Sequence, residues 1–505
     1  MKKLVYNALL KIVGVAAIGF LVLATFLLLH HLNLYYSVFA YLCGFGAIIG
    51  TIFFTYFIIV NLHTTNPIGV DCLSSKTPEV AVIIPIYNED IHFLKETLDS
   101  IIQQDYPIDK IKLFVANDAH REDIATLTTI VQSDYPQLSC YHILPPPKSS
   151  PDRQGEAKAG ALNAAWMEIC HRFPNIEYIE TRDCDDCVGD SQFLRKCTTY
   201  LMDRPTVGLV QTYKETELID ESDPFDTREV FLQSYVLPGK ITLGGVFSLG
   251  SGAVYRQQAL VDVGGFDAWN IVEDVTTTVR ILQKGWTSQA LDVIGVSTQA
   301  PVTDLENFLK QRSVWSLDAL RLVLFGDLSG LNFPQRLAFC TKGIKELLYP
   351  TSIFLLNIAI AISLIVGQPM FLTVPPITFI AIAAIAAFEL LNLKGDMIFG
   401  WKHKTLEFAL LFANLKMIWV AIVNGKDKKP QYVVTRKTAQ YQSYLHYCRS
   451  HILLLILLVI GILRVSIAGT VPEHSLLFFG AIYWSIRILD VLRLGLYQPR
   501  YVQNT

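Results

Sequence analysis

The chain divides into long, almost purely apolar stretches and a central region in which apolar and polar residues are mixed. Two apolar stretches, Leu9–Leu29 and Leu34–Val60, precede this region, and each is long enough to cross a bilayer as a helix. Four more follow it, at Tyr349–Val366, Phe371–Leu391, Ile452–Ala468 and Ser475–Leu494. The pattern therefore predicts about six transmembrane helices, two before and four after a globular domain.

The distribution of basic residues predicts which side of the membrane each loop faces. The loops His30–Asn33, Gly367–Met370 and Gly469–His474 contain no Lys or Arg, whereas Asn392–Ser450 contains ten. Because basic loops stay in the cytosol, we expect this last stretch, the central domain and both termini to be cytoplasmic. The chain is then a multi-pass protein of the cell (inner or plasma) membrane.

Three further segments are apolar and carry basic residues, which suits the membrane surface. Phe308–Leu324 and Leu331–Leu347 are amphipathic, and Leu406–Val423 is apolar enough to be a seventh span, although the charges around it favour a helix in the membrane plane. The chain then has six parts: an N-terminal transmembrane hairpin (1–62), a cytosolic domain (63–303), interfacial helices (304–347), a transmembrane pair (348–391), a cytosolic segment with an interfacial helix (392–450) and a C-terminal transmembrane pair (451–505).

Short apolar runs alternate with helical patterns in the central domain. Val80–Ile84 is a continuous apolar run before Pro85, which is typical of a strand buried on both faces. Phe93–Gln104 has helical spacing, and Lys112–Ala116 and Val207–Thr212 are further short strands. Alternating strands and helices predict an α/β fold with a parallel sheet covered by helices. Ligands of such sheets bind at the carboxyl ends of the strands.

Three carboxylates, Asp183, Asp185 and Asp186, lie in a stretch of four residues shortly after the predicted strand Ile176–Ile179. Because like charges repel, a cation is needed to hold them together. Mg²⁺ suits this place, since it takes one or two carboxylates and completes its shell with water and phosphate. A solvated acidic loop is the alternative, so the cluster gains meaning only from the rest of the chain.

The composition supports a membrane protein and argues against several other classes. Hydrophobic residues make up 51% of the chain, and the mean hydropathy is +0.36. A formal net charge of −3 gives no reason to expect nucleic acid as a partner. The nine cysteines show no disulfide framework. Cys184 and Cys187 have the spacing of half a zinc site, but no second pair follows, and reduced cytosolic thiols are the preferred interpretation.

Further short motifs follow one another along the chain. They are Pro85–Glu89, Asn117-Asp118, Lys158–Asn163, Asp183-Cys-Asp185, Gly250–Arg256, Val272-Glu-Asp274, Gln311–Trp315 and Tyr432–Lys437. In this order and within this membrane frame, the set resembles the processive family-2 glycosyltransferases, the group of cellulose, curdlan and hyaluronan synthases. The resemblance covers nearly the whole chain up to about Lys437. Motif order is the check against chance matches of single motifs.

The resemblance implies a GT-A (Rossmann-like) catalytic domain and a role for each matching residue. Asp274 would be the catalytic base, beside Glu273. The acceptor sugar would contact Trp315 and Ser251, and a Mg²⁺ or Mn²⁺ cofactor would bind Asp183 and Asp185. The nucleotide sugar would be bound by Tyr87, Glu89, Asp118, Lys158, Asp183, Gln311, Arg312 and Lys437.

Three positions depart from the motifs of the family. Asn117 replaces the first Asp of an Asp-Asp pair, and Gly252 replaces an Asn. Val314 stands where the family has an Arg that contacts the diphosphate, so a bidentate phosphate clamp is lost. We expect activity to survive, because nearby cations could replace this Arg, namely Arg312, Arg436 and Lys437.

The residues also suit the chemistry of sugar transfer. A nucleoside diphosphate leaves readily once its charge is neutralised, which a metal on Asp183 and Asp185 and the ammonium of Lys158 can do. The acceptor hydroxyl needs a base, and Asp274 at a helix start is the candidate. A single displacement inverts the anomeric carbon, so an α-linked donor gives a β-linked product. Trp315 offers a flat apolar face for a sugar ring.

Each of these residues has a structural alternative. Asp118 could cap the next helix, and Lys158 could be a solvated helix residue. Trp315 could anchor an amphipathic helix at the membrane interface. Glu273-Asp274 alone would be an ordinary first helical turn. Arg464, within a predicted span, could line a polar path or extend to the outer surface.

The sequence thus predicts a membrane-embedded, processive, inverting hexosyltransferase. It would polymerise a hexose from a UDP-sugar and extrude the chain, with UDP-glucose and a cellulose-like β-glucan favoured by the gating-loop motif Tyr432–Lys437. Expected partners are the donor, the growing polysaccharide and the lipid bilayer, with accessory export subunits as possible additions. The tail after Leu496 is too short for the cyclic-dinucleotide-binding domain of some bacterial cellulose synthases, so such control would need a separate chain.

Three other functions stay open at this point. A non-processive family-2 enzyme would add one sugar to a lipid acceptor, and the motifs at Gln311–Trp315 and Tyr432–Lys437 argue against it. A catalytically inactive relative would bind UDP-sugar without turnover, which the departures at Asn117, Gly252 and Val314 slightly favour. A transporter is less favoured, because the six spans show no internal repeat.

Overall fold

The computed structural model describes residues 2–31, 46, 48–52, 66–216, 222–230, 232–369, 374–392, 397–429 and 442–498. Within them, a mixed α/β domain occupies the chain between Val80 and Thr298, and long helices precede and follow it. Most of the predicted second apolar span and the motif Tyr432–Lys437 lie outside the described residues.

Eight strands of the α/β domain form one sheet in the order β3-β2-β1-β4-β7-β6-β8-β5. The strands are β1 (Val80–Ile86), β2 (Ile111–Asn117), β3 (Ser139–Ile143), β4 (Tyr178–Thr181), β5 (Asp186–Cys187), β6 (Val207–Thr216), β7 (Ala253–Arg256) and β8 (Thr287–Thr298). The predicted parallel pairing is confirmed for β3, β2, β1 and β4 and for the pair of β6 and β8. It is wrong at β7 and at β5. Strand β7 runs antiparallel to both β4 and β6, and β5 runs antiparallel to β8.

The antiparallel strand has a direct consequence for the predicted site. In the register of β4 and β7, Thr181 at the carboxyl end of β4 pairs with Ala253 at the start of β7. The Gly-rich turn Gly250–Gly252 therefore lies beside the acidic residues that follow β4. A fully parallel sheet would place the start of β7 at the opposite edge.

Strand β1 shows why the sheet is covered on both faces. Val80, Val82 and Ile84 pack into one apolar layer, while Ala81 and Ile83 pack into the other. This period of two confirms the prediction of a strand buried on both faces. The covering helices are α2 (Ile91–Ile102), α3 (Glu122–Asp134), α4 (Ala157–Arg172), α5 (Phe193–Asp203), α6 (Leu237–Thr242), α7 (Gln257–Val263) and α8 (Glu273–Gln283).

Strand β1 also runs through Pro85 to Ile86, beyond its predicted end. A central strand is hydrogen-bonded to a neighbour on each side, and a proline has no backbone N–H to donate to either of them. The pairing of β1 with β4 ends at Ile83 and Thr181, so Pro85 lies where that neighbour has already stopped. The strand can therefore continue past a residue that usually ends one.

The other helices are long, and one of them joins two predicted elements. They are α1 (Lys2–His30), α9 (Leu305–Phe325), α10 (Phe333–Val366), α11 (Ile377–Asn392), α12 (Met397–Ala409), α13 (Leu411–Asn424), α14 (Arg449–Ile467) and α15 (Ser475–Leu496). The predicted boundary between residues 347 and 348 is not a break, since α10 runs from a capping box at Asn332 to Gly367 with Pro350 inside it. At its end, Arg464 donates a hydrogen bond to the carbonyl of Val366, the role of a basic residue at a helix C-terminus.

Three helical segments of the described residues are long and apolar enough to cross a membrane: Phe333–Val366, Leu445–Ile467 and Pro472–Leu496. The pair α12 and α13 qualifies only as one span bent by 47°, and Ile12–Leu28 and Ile377–Phe388 are shorter. The helices indicate membrane association, and the six-span topology stays a prediction. Helix α13 packs against α9 and α10, a position that a helix in the membrane plane can take.

Candidate active site

The acidic stretch forms a turn between β4 and β5. The N–H of Asp186 donates to the carbonyl of Asp183 over 3.1 Å, so Asp183, Cys184 and Asp185 lie in the turn and not at the end of the strand itself. Cys184 is buried in the apolar layer on one face of the sheet. In the part of the chain that the structure describes, no group of three His, Cys, Asp or Glu side chains could hold a metal ion.

Arg182 holds the turn from inside the protein. Its side chain and that of Glu180 are fully buried, and Arg182 Nε donates to Glu180 Oε1 over 2.7 Å. The remaining nitrogens donate to the carbonyls of Asp186, Cys187 and Gly295 at 2.9–3.1 Å. The arginine within the acidic stretch therefore fixes the backbone after the turn and ties it to β8.

Asp186 is held by the protein itself. Lys214 Nζ lies 3.1 Å from its Oδ2, and the Thr298 hydroxyl donates to its Oδ1 over 2.7 Å. Burial alone raises the pKa of Asp186, but Lys214 and hydrogen bonds from Ser251 and Thr298 lower it to about 2. Asp186 is thereby paired within the protein, and the predicted metal ligands are the other two carboxylates of the cluster, Asp183 and Asp185.

The donor set of Asp183 and Asp185 fits a hard divalent cation. The side chain of Asp183 is 34% exposed, and Asp185 is buried beside it in the same turn. Among the described residues, no third ligating side chain joins these two carboxylates. Water and phosphate would therefore fill most of the coordination shell. Mg²⁺ is commonly held in this way.

Lys158 brings three separate segments together. It lies in the first turn of α4, and its Nζ is 2.5 Å from Asp183 Oδ1, 2.9 Å from the carbonyl of Gly250 and 3.7 Å from Glu273 Oε1. Burial lowers the pKa of Lys158, but Asp183 and Glu273 outweigh this and raise it above its ordinary value. Lys158 is thus a charged member of the site, and the solvated alternative is wrong.

Asp274 lies beside the same group. It is the second residue of α8, and its Oδ1 accepts the N–H of Val275 over 2.6 Å. Its Oδ2 lies 3.3 Å from the point that a Cβ on Gly250 would occupy. Burial, then Glu273 and Asp318, raise the pKa of Asp274 well above that of an ordinary carboxyl, while Lys158 opposes the shift. A carboxylate with a raised pKa is a stronger proton acceptor.

The Gly-rich turn Gly250–Gly252 is hydrogen-bonded to the acidic turn. Ser251 is buried, and its Oγ accepts the backbone N–H of Asp183 over 3.1 Å. The Ser251 hydroxyl thus faces the protein, whereas the prediction placed it against an acceptor sugar. Gly250 and Gly252 both have positive φ, at +83° and +62°.

The family's Asn does not fit at Gly252. A Cβ there would lie 2.6 Å from Val296 Cγ2 and 3.1 Å from Thr212 Oγ1. We expect Gly252→Asn to lower the free energy of unfolding by about 1–3 kcal/mol, since Asn tolerates left-handed backbone but the buried Val296 cannot move aside. Thermal unfolding in detergent measures this. Adding Val296→Ala should restore most of the loss, and an unchanged transition in Gly252→Asn would contradict the clash.

Asp118 does not cap a helix. Helix α3 begins after Arg121, which makes no side-chain cap. Both oxygens of Asp118 instead accept from Arg153, at 2.6 and 3.0 Å, and this pair is buried. The other N–H groups of Arg153 donate to the carbonyls of Pro146, Gly155 and Ala157. Arg153 therefore ties the end of β2 to the start of α4, where Lys158 lies.

The loop after β1 lies on the same side as Asp118. Glu89 Oε2 accepts the N–H of Tyr87 over 2.8 Å, and Lys148 Nζ lies 4.7 Å from the centre of the Tyr87 ring. Asn117 is fully buried, and its amide bonds both the N–H and the carbonyl of Arg121. Asn117 thus closes its own loop, which accounts for an amide where the family has a carboxylate.

Helix α9 carries the predicted acceptor side of the site. The guanidinium of Arg312 lies 4.4 Å from the centre of the Trp315 ring, and Lys342 Nζ lies 5.3 Å from it. Arg312 also faces Glu229 at 3.5 Å, and Gln311 is half-buried one residue earlier. Two cations therefore lie within contact range of the Trp315 ring. Lys437 lies outside the described residues.

Val314 faces away from these charges. It packs on the apolar cluster of Ile271, Leu317, Leu320 and Ala421. We expect Val314→Arg to lower stability without raising the rate of nucleotide release, because a charged arginine would replace an apolar side chain that packs on this cluster. Ser313→Arg, one residue earlier, controls for an added charge on this helix. A wild-type protein that releases no UDP from UDP-glucose with Mn²⁺, next to an active Val314→Arg, would contradict this expectation.

Three charged residues of the site were not found from the sequence: Arg153, Arg182 and Lys214. Arg182 stands inside the acidic stretch, and its charge was the one available signal. Arg153 follows a Pro-rich loop without any periodic pattern, and Lys214 lies on β6 beyond the predicted end of that strand. Their roles depend on partners far away in the chain.

Comparison with known proteins points to one family. The profile described as "Glycosyl transferase family 2" matches residues 81–264, and the one described as "Glycosyl transferase family group 2" matches residues 178–391. Both matches include the acidic turn and the start of β7, and the second also includes α8 and α9.

Curated relatives are bacterial cellulose synthases at low identity. Cellulose synthase 2 of Novacetimonas hansenii is 26% identical over 292 residues, which is 54% of this chain and 16% of that protein. Cellulose synthase 1 catalytic subunit [UDP-forming] of Komagataeibacter xylinus is 24% identical over 304 residues, which is 57% of this chain and 37% of that protein. The similarity thus covers well under half the length of either relative.

A solved structure shares the fold. A mannosyltransferase from Pyrobaculum calidifontis, in complex with GDP-Man and Mn²⁺, aligns with a TM-score of 0.54 and 18% identity over 75% of this chain and 99% of that one. At this identity the likeness indicates the fold alone, a GT-A-like α/β domain.

Proposed function

We propose that this chain, a family-2 glycosyltransferase of the cellulose synthase type, transfers a hexose from a UDP-sugar to a growing β-linked glycan with inversion at the anomeric carbon. One observation carries the proposal: Asp183, Gly250 and Glu273 meet at the ammonium of Lys158, with Asp274 next to them. A metal-diphosphate anchor and a base would then be neighbours, as a single displacement requires.

The donor side would hold the diphosphate. Lys158 faces Asp183 in the structure, and the phosphate oxygens of a bound donor would share this ammonium. A Mg²⁺ or Mn²⁺ held by Asp183 and Asp185 would neutralise the charge that grows on the leaving diphosphate. Asp118, fixed by Arg153, with Tyr87 and Glu89 from the loop after β1, would contact the nucleoside.

The acceptor side would supply the nucleophile. Asp274 would take the proton of the acceptor hydroxyl while the oxygen attacks the anomeric carbon from the face opposite the diphosphate. The bond between that carbon and the phosphate oxygen breaks, UDP leaves, and the proton stays on Asp274. Glu273, in contact range of Lys158, would help to hold this ammonium in place.

Helix α9 would position the acceptor. The ring of Trp315 gives a sugar an apolar face, and Gln311 and Arg312 offer hydrogen-bond donors beside it. Lys437 is proposed from its motif alone, as a contact to the donor. Processive synthesis and passage of the glycan through the apolar helices are proposals that rest on the relatives and on the membrane frame.

UDP-glucose is the proposed donor. The name of one relative describes a UDP-forming enzyme, and the sequence of this chain carries the gating-loop motif of cellulose synthases. The mannosyltransferase that shares the fold is in complex with GDP-Man and Mn²⁺, so a guanosine donor has to be included in any test.

The test uses the full chain in detergent with Mg²⁺ or Mn²⁺. UDP-glucose, UDP-N-acetylglucosamine, UDP-glucuronate and GDP-mannose are offered in turn, and nucleotide release is measured. We expect release from UDP-glucose and incorporation of radiolabelled glucose into a polymer that a β-glucanase degrades. A single added sugar on a lipid would favour the non-processive enzyme, and UDP binding by titration calorimetry without turnover would favour an inactive relative.

A further inference from the structure

Two buried residues of α9 lie beyond Trp315 and have no part in the proposed transfer. Asp318 and Arg321 are one helical turn apart, with exposed fractions of 4% and 0%. Both face the loop 268–272, which leads directly into Glu273 and Asp274. Helix α9 therefore touches the segment that presents the proposed base.

Asp318 holds this segment through its backbone. Its Oδ1 accepts the N–H of Ile271 over 3.1 Å and the N–H of Val272 over 3.0 Å. Its own carbonyl accepts from Asn270 Nδ2 over 3.0 Å. Val272 stands at the N-cap of α8 and has no side-chain acceptor to cap it. An acid on a different helix thus fixes the two amides just before the base.

Arg321 holds the same loop from the next turn of α9. Its Nε donates to Asn270 Oδ1 over 3.2 Å, and its other nitrogens donate to the carbonyls of Gly425, Lys426 and Lys428 at 2.8–3.2 Å. Lys429 Nζ in turn donates to the carbonyl of Ala268 over 3.2 Å. The loop 268–272 is therefore held between α9 and the segment after α13.

We infer that Asp318 is a positioning residue for Asp274, fixing the start of α8 relative to the helix that carries Trp315. A single rigid helix then sets the spacing between the base and the acceptor ring. The inference rests on the proposed function, because Asp274 must act as the base. Misplacing a catalytic group by about 1 Å can cost on the order of 10²-fold in rate, so such a contact matters for turnover.

Charge and geometry at Asp318 can be separated. The charged groups around it are Glu273 and Asp274 of α8, Lys342 of α10, Arg321 of α9 and Lys429 after α13. Burial raises the pKa of Asp318 to about 7, and Asp318 in turn raises the pKa of Asp274. Asp318→Asn keeps an acceptor for both amides and removes the charge. Asp318→Ala removes both.

The experiment combines hydrogen exchange with steady-state kinetics on the full chain in detergent. In Asp318→Ala we expect the amides of Ile271 and Val272 to exchange about tenfold faster, because their acceptor is gone. We expect kcat to fall roughly 10- to 100-fold, with the KM for UDP-glucose within about twofold of wild type. Asp318→Asn should keep the exchange rates and kcat close to wild type. It should also move the acid limb of the pH profile of kcat to lower pH.

Asp304→Ala is the matched control. Asp304 is a buried acid at the N-cap of the same helix, and it accepts the N–H of Asn307 over 2.8 Å. This variant should lower thermal stability and leave kcat of the folded protein unchanged. If Asp318→Ala does not fold, Asn270→Ala, which breaks the link to Arg321, should show the same fall in kcat at constant KM.

The outcomes distinguish the inference from the proposed function. Wild-type exchange at Ile271 and Val272 in Asp318→Ala would overturn the inference, as would equal kcat losses in Asp318→Asn and Asp318→Ala. A wild-type protein that releases no nucleotide from any donor would overturn the proposed function. In that case the exchange rates still decide whether Asp318 holds the loop.

Discussion

Asp274→Asn is expected to lower kcat for sugar transfer by roughly 10²- to 10⁴-fold, the usual contribution of a general base. The amide keeps the shape of the side chain and can still accept the N–H of Val275, but it cannot take a proton. Donor binding should persist, because Lys158 and Asp183 are unchanged. Loss of turnover with retained UDP binding therefore identifies Asp274 as the base.

The measurement is release of UDP from UDP-glucose, paired with calorimetric titration of UDP. Asp262→Asn is the control, because Asp262 lies in the same domain and bonds Gln258 and Trp286 outside the site. It should retain wild-type activity. Residual activity of Asp274→Asn within tenfold of wild type would assign the base to another residue, with Glu273 the nearest candidate.

The pH profile should reflect the raised pKa of Asp274. A base acts when it is deprotonated, so kcat should rise with pH up to that pKa and level off above it. Burial, Glu273 and Asp318 raise the pKa, and Lys158 lowers it. Lys158→Ala should therefore move the acid limb to higher pH, in addition to weakening donor binding. A limb that stays in place would mean that the titrating group is not Asp274.

Arg182→Met should lower the free energy of unfolding by about 3–5 kcal/mol, because it leaves Glu180 buried without its partner. It also strands the carbonyls of Asp186, Cys187 and Gly295. The acidic turn would lose its support, so binding of UDP with Mn²⁺ should weaken as well. In a domain of this size, the loss corresponds to a fall in the unfolding temperature of roughly 6–20 °C.

Thermal unfolding in detergent checks this, with two comparison variants. Replacing Glu180 by Met in the same chain removes the unpaired charge and should recover part of the loss, although the stranded carbonyls remain. Arg172→Met is the control, since Arg172 pairs with Glu168 on a half-exposed helix surface, and surface pairs contribute about 0–1 kcal/mol. Equal effects of Arg182→Met and Arg172→Met would contradict a structural role for the buried pair.

Local pattern was sufficient for some elements of the fold. The apolar run at Val80–Ile84 predicted a central strand, and the helical spacing after it predicted α2, because burial on one or two faces imposes a period on the residues nearby. The same holds for the long apolar helices. Pattern did not predict that β7 runs antiparallel to its neighbours, since strand direction depends on how distant segments pair.

Residue types and their order were sufficient to select candidates for the site. Asp183, Lys158 and Asp274 follow from the chemistry of a diphosphate leaving group and from a resemblance of motifs. The sequence could not show which way Ser251 faces, because a hydroxyl can bond either a ligand or the protein, and in the structure it bonds the protein. Its bond to the N–H of Asp183 is made between residues 68 positions apart in the chain.

The sequence by itself thus determined the class of fold, the long apolar helices that indicate membrane association and the candidate residues for the reaction. Only the tertiary structure decided which of them meet: Lys158 with Asp183 and Gly250, Asp118 with Arg153, and the amides before Asp274 with Asp318. The physical reason lies in the charges. A buried charge must find a partner, and that partner is whichever side chain the fold brings within hydrogen-bonding distance, however far away it lies in the sequence.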